Sequence, residues 1–402
     1  METSVIIPAY NASERLYYNL IALNNQDYPS DKFEVVVVNN GSRDNTMEML
    51  SRFQSNYKLS IINLDKNKGI AYARNQGILK AKGKLLIFHD SDMIATRDFI
   101  SDHIKAHQDT HTVVCGNCWK RVYSYYYKRF RGYQVDNFQH LKYKYNLINE
   151  VLHNKDKYPL LSKEQIMNGS FIDFSFDLDV PFILSLKQEL MKYGEDLKGY
   201  HFPWRFFITN NCSVYKQNVI NTGLFDAKII RYGFEDYDLG IRLYKMGCRF
   251  LVKEHILSIH QEHPINYKRD DTWYNLYYMC TKYHSPYFID MFLAFSTMYT
   301  SIDPNKMNEI MDNIYQVEQM EEYKHLIYIF FTLLTTLCKR QCKKYIKVVA
   351  KDNDENLGID IDFLKIKQEG NQLYVLGFSY FVDALYMLIK DLYNIDMAYI
   401  GI

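Results

Sequence analysis

Four short apolar runs alternate with helix-length segments over the first 115 residues, and this alternation restricts the fold more than any other feature of the chain. The runs are rich in Val, Ile and Leu and comprise Ser4–Ile7, Glu34–Val38, Leu59–Asn63 and Leu85–His89. Continuous apolar strands separated by helices are typical of βαβ units, in which helices cover both faces of a parallel sheet. The pattern therefore predicts an α/β fold.

The segments between these runs have helical periodicity and recognisable ends. This periodicity predicts helices over Ser13–Asn24 and Thr46–Gln54. A third helix is predicted from near Gly69 to Gly83, because glycine frequently follows the last turn of a helix. These helices would connect the predicted strands and cover the sheet.

The rest of the chain divides into an irregular middle and a helical end. Residues 119–201 are dense in Tyr, Lys and Arg, and regular periodicity returns at Phe206–Val214. A helix is predicted over Glu235–Met246, followed by strands over Arg249–Val252 and Ile256–His260. Helical periodicity dominates after about residue 270. We therefore predict a first domain over residues 1–268 and an α-helical C-terminal domain over residues 269–402.

Length and composition limit the class of protein. The chain has 402 residues, which suits two domains, and its 48% of hydrophobic residues is enough for a substantial core. The formal net charge of +1 disfavours a general nucleic-acid-binding protein, because such proteins carry a basic excess. We expect no nucleic-acid partner.

The N-terminus and the cysteines favour a reducing compartment. The chain starts at Met1 and enters the first predicted strand without the basic start and cleavage site of a signal peptide. Seven scattered cysteines, among them Cys115 and Cys118 in a CxxC motif, favour free thiols over a disulfide framework or a zinc site. We expect a cytoplasmic location.

The longest apolar stretch is His325–Cys338, which is shorter than the roughly 20 residues that span a bilayer. A buried helix is the favoured interpretation, and a helix resting on a membrane surface is the alternative. No transmembrane segment is expected, whereas peripheral membrane contact stays open.

Two carboxylates follow the fourth predicted strand, in the segment Asp90-Ser91-Asp92. Ligands of open α/β sheets bind beyond the carboxyl ends of the strands. Carboxylates at that position can hold a ribose and a Mg²⁺ or Mn²⁺ ion that neutralises a diphosphate. An isolated DxD motif is common by chance, so its position at a strand end is what makes it informative.

Polar residues also follow the first two strands, and a cation lies at the same predicted edge. The segments are Pro8-Ala9-Tyr10-Asn11 and Asn39-Asn40-Gly41-Ser42, which either line a nucleotide pocket or form ordinary turns. Arg74, in the third predicted helix, would lie at this edge, where a guanidinium can bind phosphate oxygens. A solvated helix arginine is the alternative.

Two further motifs supply acids and imidazoles. Glu235 and Asp236 begin a predicted helix, where they either interact with its dipole or provide a general base for transfer to a hydroxyl. His260 and His263 follow a predicted strand, and an imidazole there can complete a metal site that a carboxylate begins.

Five blocks of the chain together resemble family 2 glycosyltransferases, which have the GT-A fold. In chain order they are SVIIPAYN, EVVVVNNGSRDNT, NKGIAYARNQG, LLIFHDSD and GLFDAKIIRYGFEDYDLGIRL, and the resemblance covers about residues 3–265 without the Tyr-rich middle. The last block and the later HQEHP look most similar to chondroitin-polymerase-type and galactosyltransferase-type domains. The resemblance implies a nucleotide-binding half (1–118), an acceptor-side insertion (119–205) and a catalytic half (206–268).

The resemblance also implies roles for individual residues. Asp236 would be the catalytic base, with Glu235 binding the acceptor or orienting the site, and Asp92 and His260 would hold a Mn²⁺ or Mg²⁺ ion. Arg74 would approach the diphosphate of the donor. The implied donor-binding residues are Pro8, Ala9, Tyr10, Asn11, Asn39, Gly69, Arg74, Asp90, Ser91 and Asp92.

The resemblance leads to an expected reaction. An acid at position 236, where retaining relatives have Asn, implies inversion at the anomeric carbon. The donor would be a nucleotide-diphosphate sugar, and a uridine nucleotide is favoured although Asn39-Asn40 replaces the Asp-Asp of many members.

Several alternatives stay open. The acceptor is a glycan, a lipid-linked sugar or a peptide, and the helical end of the chain could support a homodimer. A nucleotidyltransferase and a non-catalytic sugar-binding protein on a GT-A scaffold are the other candidates for the whole chain. The Tyr-rich middle is either an acceptor surface or an aromatic core.

Overall fold

The computed structural model describes residues 1–145, 156–265, 269–283, 302–346 and 362–393. The chain divides into two compact units, one formed by Met1–Gly199 and Pro203–Tyr267, the other by Tyr200–Phe202 and Lys268–Ile402. Residues 200–202, which belong to the predicted insertion, group with the second unit, and the predicted domain bounds stay a prediction.

The first unit is built on a mixed sheet. Its strands within the described residues are Thr3–Ala9 (β1), Phe33–Asn39 (β2), Lys58–Asn63 (β3), Leu85–Phe88 (β4), Met93–Ala95 (β5), Thr112–Asn117 (β6), Lys120–Val122 (β7), Tyr125–Tyr127 (β8), Lys157–Pro159 (β9), Phe176–Asp177 (β10), Cys212–Tyr215 (β11) and Arg249–Gln261 (β12). The four predicted N-terminal strands correspond to β1–β4.

The sheet is parallel where the apolar runs lie and mixed beyond them. The strand order is β10-β7-β12-β6-β11-β4-β1-β2-β3, with β5 paired to β12, and β8 and β9 form a separate ribbon. β1 runs parallel to both β2 and β4, so the carboxyl ends of these three strands share one edge. All seven residues of β1 and of β2 are buried, as expected of parallel strands covered on both faces.

The helices of the first unit connect and cover these strands. Those in the described residues are Ser13–Asn24 (α1), Thr46–Arg52 (α2), Ile70–Lys80 (α3), Phe99–Ala106 (α4), Tyr133–Leu141 (α5), Lys163–Asn168 (α6), Pro181–Tyr193 (α7), Lys216–Asn221 (α8) and Glu235–Lys245 (α9). The prediction for α1 has the observed bounds, and the predicted α2 is two residues too long at its end.

One strand was predicted as two. β12 is continuous over Arg249–Gln261, and its pairing with β6 shifts register between Lys253 and Leu257. The sequence has Glu254 and His255, both exposed, at this irregularity, and these polar residues interrupt the apolar pattern. Hydrogen bonding to neighbouring strands keeps the segment extended where its own periodicity breaks.

The Tyr-rich middle contains its own aromatic core. Tyr123, Tyr127, Phe130 and Phe138 are buried in one cluster. The Tyr123 ring stacks on Phe176, with centroids 5.2 Å apart. These rings support the core interpretation, since they are covered by one another.

The second unit is helical, and the α/β fold with a helical C-terminal region is confirmed. Its described helices are Arg269–Lys282 (α10), Met307–Val317 (α11), Lys324–Tyr345 (α12), Phe363–Val375 (α13) and Ser379–Tyr393 (α14). The apolar stretch His325–Cys338 lies in α12, where Leu326, Phe330 and Leu333 are buried. Among the described residues, no helix has both the length and the apolar character to cross a membrane. All seven cysteines are free and buried.

Candidate active site

The DxD segment leaves the end of β4 and is anchored from behind by a buried histidine. His89 is 0% exposed; its Nδ1 accepts a hydrogen bond from Asn19 Nδ2 (3.1 Å), and its Nε2 lies 2.6 Å from Ser258 Oγ. The same Asn19 amide donates to the carbonyl of Asp90 (2.8 Å). Burial lowers the pKa of His89 to about 3, so the ring is neutral. The segment is therefore tied to both α1 and β12.

Arg74 joins the DxD segment to the start of α9. Its Nη2 donates to Asp90 Oδ1 and its Nη1 to Glu235 Oε1, each over 2.8 Å, and the residue is only 1% exposed. The guanidinium also lies 5.5 Å from the centre of the Phe225 ring. The sequence had predicted a contact between Arg74 and the diphosphate, but its terminal nitrogens serve two protein carboxylates and the side chain is enclosed. The contact with the diphosphate stays a prediction, and in this structure the guanidinium holds the two carboxylates.

The loop before α9 is fastened to α3. Asn75 holds the backbone of Phe225 with two reciprocal hydrogen bonds of 2.9 Å. At the start of α3, Gly69 has φ +90°, and a Cβ there would lie 2.9 Å from the carbonyl oxygen of Ile230. The predicted donor contact of Gly69 is not tested by this geometry. The close approach gives a separate reason for glycine at this position.

Two acidic residues begin α9, in surroundings that raise the pKa of carboxyl groups. Glu235 is 6% exposed, and Asp236 lies one residue further along the first turn. Burial, together with the nearby Glu235 carboxylate, raises the pKa of Asp236 to about 7. Burial also raises the pKa of Asp90 to about 6, although Arg74 opposes this shift. A carboxylate with a pKa near neutrality can accept a proton at physiological pH.

Asp92, His260 and His263 form the group of potential metal ligands that the described residues contain, with ligand atoms within 4.8 Å of one another. Asp92 Oδ2 lies 2.9 Å from His263 Nε2 and 3.7 Å from His260 Nε2. The pairing of β5 with β12 sets His260 opposite Met93 and so brings the histidine beside Asp92. His263 was absent from the predicted metal ligands, although the HQEHP motif was the signal for it.

The charges around Asp92 favour its ionised form. Burial acts to raise the pKa of Asp92, but the hydrogen bond with the His263 side chain and the charge of the Arg15 guanidinium hold that pKa below its ordinary value. Burial lowers the pKa of His260 to about 3, which keeps its imidazole neutral. An ionised carboxylate and a neutral imidazole are the forms of these groups that bind a metal ion. Arg15, on α1, is a cation of this site that the sequence reasoning missed.

The remaining predicted donor residues lie at the ends of β1 and β2. Pro8 and Ala9 are buried in β1, and Ala9 is paired with Asn39 of β2. Asn39 Nδ2 donates to Asn63 Oδ1 (2.6 Å), and its Oδ1 accepts from the Ser42 amide (3.2 Å). This amide thus stabilises the turn, and its contact with a base stays a prediction.

The next two residues turn away from β1. Tyr10 is 43% exposed. Asn11 has φ +50°, and its backbone N–H donates a hydrogen bond to Ser42 Oγ (3.0 Å). Asn11 therefore shapes the turn, while Tyr10 presents a ring to solvent. Their predicted contacts with the donor remain predictions.

The structure brings the predicted site residues into two adjoining clusters. Asp236 and the Glu235–Arg74–Asp90 bridge form the first, and the three metal-ligand candidates form the second. Ser91, which is 9% exposed, separates the two acids of the DxD segment in the sequence. The strand-end residues flank these clusters along the same sheet edge.

The sequence of the chain matches a known family. The model of the glycosyl transferase family 2 matches residues 4–162, and a relative that is similar over the whole length supports it. The chain belongs to glycosyltransferase family 2. It is therefore an enzyme of the glycosyltransferase class, which decides against the nucleotidyltransferase alternative.

That full-length relative is the glycosyltransferase YfnE of Bacillus subtilis (strain 168). It is 45% identical over 404 residues, covering 99% of this chain and 98% of YfnE. Chondroitin synthase of Escherichia coli is 25% identical over 65% of this chain, which spans only 35% of that protein. A crystal structure of S. aureus TarS 1–349 has a TM-score of 0.50 at 16% identity, covering 86% of this chain and 89% of that one. The fold is thus of the GT-A type.

Proposed function

We propose that this glycosyltransferase moves a sugar from a nucleotide-diphosphate donor, with a uridine nucleotide favoured, to an acceptor hydroxyl with inversion at the anomeric carbon. One observation supports this most: Asp236, with a pKa of about 7, stands beside the bridge that ties α9 to the DxD segment. A base for the acceptor and carboxylates for the donor thus share one site.

The reaction is a single displacement. Asp236 accepts the proton of the acceptor hydroxyl while the acceptor oxygen forms its bond to the anomeric carbon. The bond from that carbon to the diphosphate oxygen breaks, and its electron pair stays on the leaving diphosphate. Asp236 needs to be ionised in this step, so its raised pKa makes it a stronger base at the cost of a smaller ionised fraction below neutrality.

Arg74 and Glu235 hold this geometry rather than react. A buried guanidinium between two carboxylates fixes both, because releasing either carboxylate removes a partner from a cation that is only 1% exposed. Asp90 then faces the donor from a fixed position. Arg15, whose charge acts on Asp92, is a further cation that we propose for the diphosphate.

The residues at the second cluster fit a divalent ion. One carboxylate and two imidazoles suit a first-row ion such as Mn²⁺ better than Mg²⁺, which prefers oxygen ligands. Asp92, His260 and His263 would hold it, and when bound it would stabilise negative charge on the diphosphate. Mn²⁺ is therefore the ion we favour.

The proposed acceptor is a glycan, a lipid-linked sugar or a peptide. Chondroitin synthase among the relatives favours a glycan. The cytoplasmic location, the peripheral membrane contact, the homodimer and the division into domains remain predictions.

The test is the variant Asp236→Asn with the exposed Asp196→Asn as the control. UDP binding in the presence of Mn²⁺, measured by calorimetry, should be unchanged in both, whereas transfer from a panel of UDP-sugars to a panel of acceptors should fall at least 100-fold in Asp236→Asn only. Near-normal turnover would remove Asp236 from the base role. A wild-type chain that binds UDP but releases none from any UDP-sugar of the panel would contradict the proposed uridine donor.

A further inference from the structure

Two buried polar atoms face each other behind the metal-ligand candidates without a hydrogen bond between them. His260 Nδ1 and Glu262 Oε1 are 3.8 Å apart, and neither accepts or donates a hydrogen bond within the described part of the chain. Glu262 is 1% exposed. Buried polar atoms are nearly always hydrogen-bonded, so such a pair points to a contact that forms in another state of the site.

Residues of the Tyr-rich middle hold Glu262 from its other side. Its Oε2 accepts from Gln134 Nε2 (2.7 Å) and from the Tyr133 hydroxyl (3.3 Å), both at the start of α5. Gln134 Nε2 also donates to the carbonyl of His263 (2.7 Å). Arg121 Nε lies 3.4 Å from Glu262 Oε1 and balances its charge. The carboxylate is therefore fixed, with Oε1 lying 3.4 Å from Arg121 Nε and 3.8 Å from His260 Nδ1.

We propose that Glu262 is a positioning residue for the metal ligand His260, and that the start of α5 holds Glu262 in place for this role. This inference rests on the metal site of the proposed function. Neutral imidazole carries one proton. Binding of an ion to Nε2 requires that proton on Nδ1, where it would be donated to Glu262 Oε1. A small approach of the ring closes the 3.8 Å gap.

Such a contact has a known effect on metal ligands. A carboxylate that accepts the second ring N–H of a ligating histidine fixes the tautomer and the ring orientation and makes the ligand more basic. Removing it commonly lowers metal affinity 10- to 100-fold. The insertion would thus influence the metal site, through Tyr133 and Gln134, without contributing a ligand.

The experiment titrates the metal-free chain with Mn²⁺ and follows free Mn²⁺ by electron paramagnetic resonance. Glu262→Gln should raise the dissociation constant at least 10-fold, and Gln134→Leu, which frees the carboxylate without removing it, should raise it by a smaller factor. The control is Glu34→Gln, because Glu34 is also 1% exposed but pairs with Lys58 at 3.3 Å, away from the metal site. Circular dichroism and the thermal midpoint without metal report folding.

The outcomes separate this inference from the metal site itself. Asp92→Asn, which removes a ligand, should lose Mn²⁺ binding. If it does and a folded Glu262→Gln chain keeps the wild-type affinity for Mn²⁺, the positioning role is overturned. A wild-type chain that does not bind Mn²⁺ would instead overturn the metal site. If Glu262→Gln does not fold, Gln134→Leu decides: unchanged affinity there contradicts the proposal. An equal loss of affinity in Glu34→Gln would also contradict it.

Discussion

Arg74 is the residue on which the geometry of the candidate site depends most. Replacing it with leucine leaves Asp90 and Glu235 without their shared partner, in surroundings where the guanidinium was 1% exposed. Breaking a buried ion pair from one side commonly costs about 3–5 kcal/mol. We expect Arg74→Leu to lower the free energy of unfolding by about this amount, as measured by urea denaturation, and to abolish transfer.

An exposed arginine provides the matched control. Arg52 pairs with Glu48 over 3.0 Å, but its side chain is 78% exposed. Because exposed ion pairs contribute little to stability, Arg52→Leu should leave unfolding and transfer nearly unchanged. Equal effects of the two substitutions would contradict the bridging role of Arg74.

The pKa of Asp236 predicts a pH dependence of activity. With a pKa of about 7, this carboxyl is mostly protonated at pH 6 and mostly ionised at pH 8. Since only the ionised form accepts the acceptor proton, kcat/KM should rise with pH and level off above neutrality. A steady-state profile between pH 5 and pH 9 measures it. A profile that is already flat below pH 6 would rule out Asp236 as a base with a raised pKa.

The same shift predicts the opposite trend for stability. In the unfolded chain Asp236 titrates at its ordinary value of 3.8, and in the folded chain at about 7. Between these values the folded chain binds more protons, so the contribution of Asp236 favours folding at low pH and is lost as pH rises through the window. Asp236→Asn should remove this slope, which urea denaturation of both proteins at pH 5 and pH 8 would show.

At the scale of elements, the close approach of α3 to the loop over residues 223–233 positions the DxD segment and the start of α9. Gly69→Ala adds a Cβ 2.9 Å from the carbonyl of Ile230, at a φ of +90° that L-residues avoid. We expect a loss of about 1–3 kcal/mol from backbone strain, and also a loss of transfer, because the loop leading to Asp236 has to move. Thermal unfolding and kcat measure the two effects.

The variant Gly247→Ala distinguishes the effect of backbone strain from the effect of the contact with the loop. It has the same φ of +90°, but a Cβ there would meet no atom within 4 Å in the described residues. Gly247→Ala should therefore lose comparable stability while transfer is retained. If both variants lose transfer equally, the contact between Gly69 and Ile230 has no part in positioning the loop.

The predicted strands match the observed strands where the apolar pattern of the sequence agrees with burial in the folded chain. The buried valine run of β2 has one simple pattern, and its prediction differs from the observed strand by one residue at each end. β12 was divided in two because its polar interruption at residues 254 and 255 lies in a register shift that only the neighbouring strands define. Short strands such as β5 and β7 have too few residues for a period.

At the scale of the molecule, metal binding should stabilise the folded chain. An ion that binds only the folded state adds RT ln(1 + [L]/Kd), or about 2.7 kcal/mol at a concentration 100-fold above Kd. We expect MnCl₂ to raise the thermal midpoint relative to EDTA, and MgCl₂ to raise it less, because two of the three candidate ligands are imidazoles. Differential scanning fluorimetry measures both shifts.

Asp92→Asn is the control for this stabilisation. It keeps the size of the side chain but removes the charge that holds the ion, so the Mn²⁺-dependent shift should disappear. A shift of equal size in wild type and variant would mean that Mn²⁺ binds elsewhere. Measurement on the full chain is needed, since the two compact units need not unfold together.

Sequence alone determined the α/β class and the helical end, and it located the segments that we propose to carry the chemistry. These properties depend on local patterns: apolar runs of strand length, helical periodicity, and polar residues directly after strands. The DxD segment, Glu235 and Asp236 were found this way, because their positions at element ends are visible in the order of residues. His263 belonged to the HQEHP motif but was not assigned as a ligand, since spacing does not show how far a side chain lies from Asp92.

Only the tertiary structure decided which groups face each other. Arg74 and Glu235 are 161 residues apart in sequence, and Glu262 and Gln134 are 128 apart, so no local pattern relates them. Their pairing follows from strand order, from the pairing of β5 with β12 and from the close approach of Gly69 to the 223–233 loop. Burial then sets the pKa values, because desolvation depends on everything packed around a carboxyl and not on its neighbours in the chain.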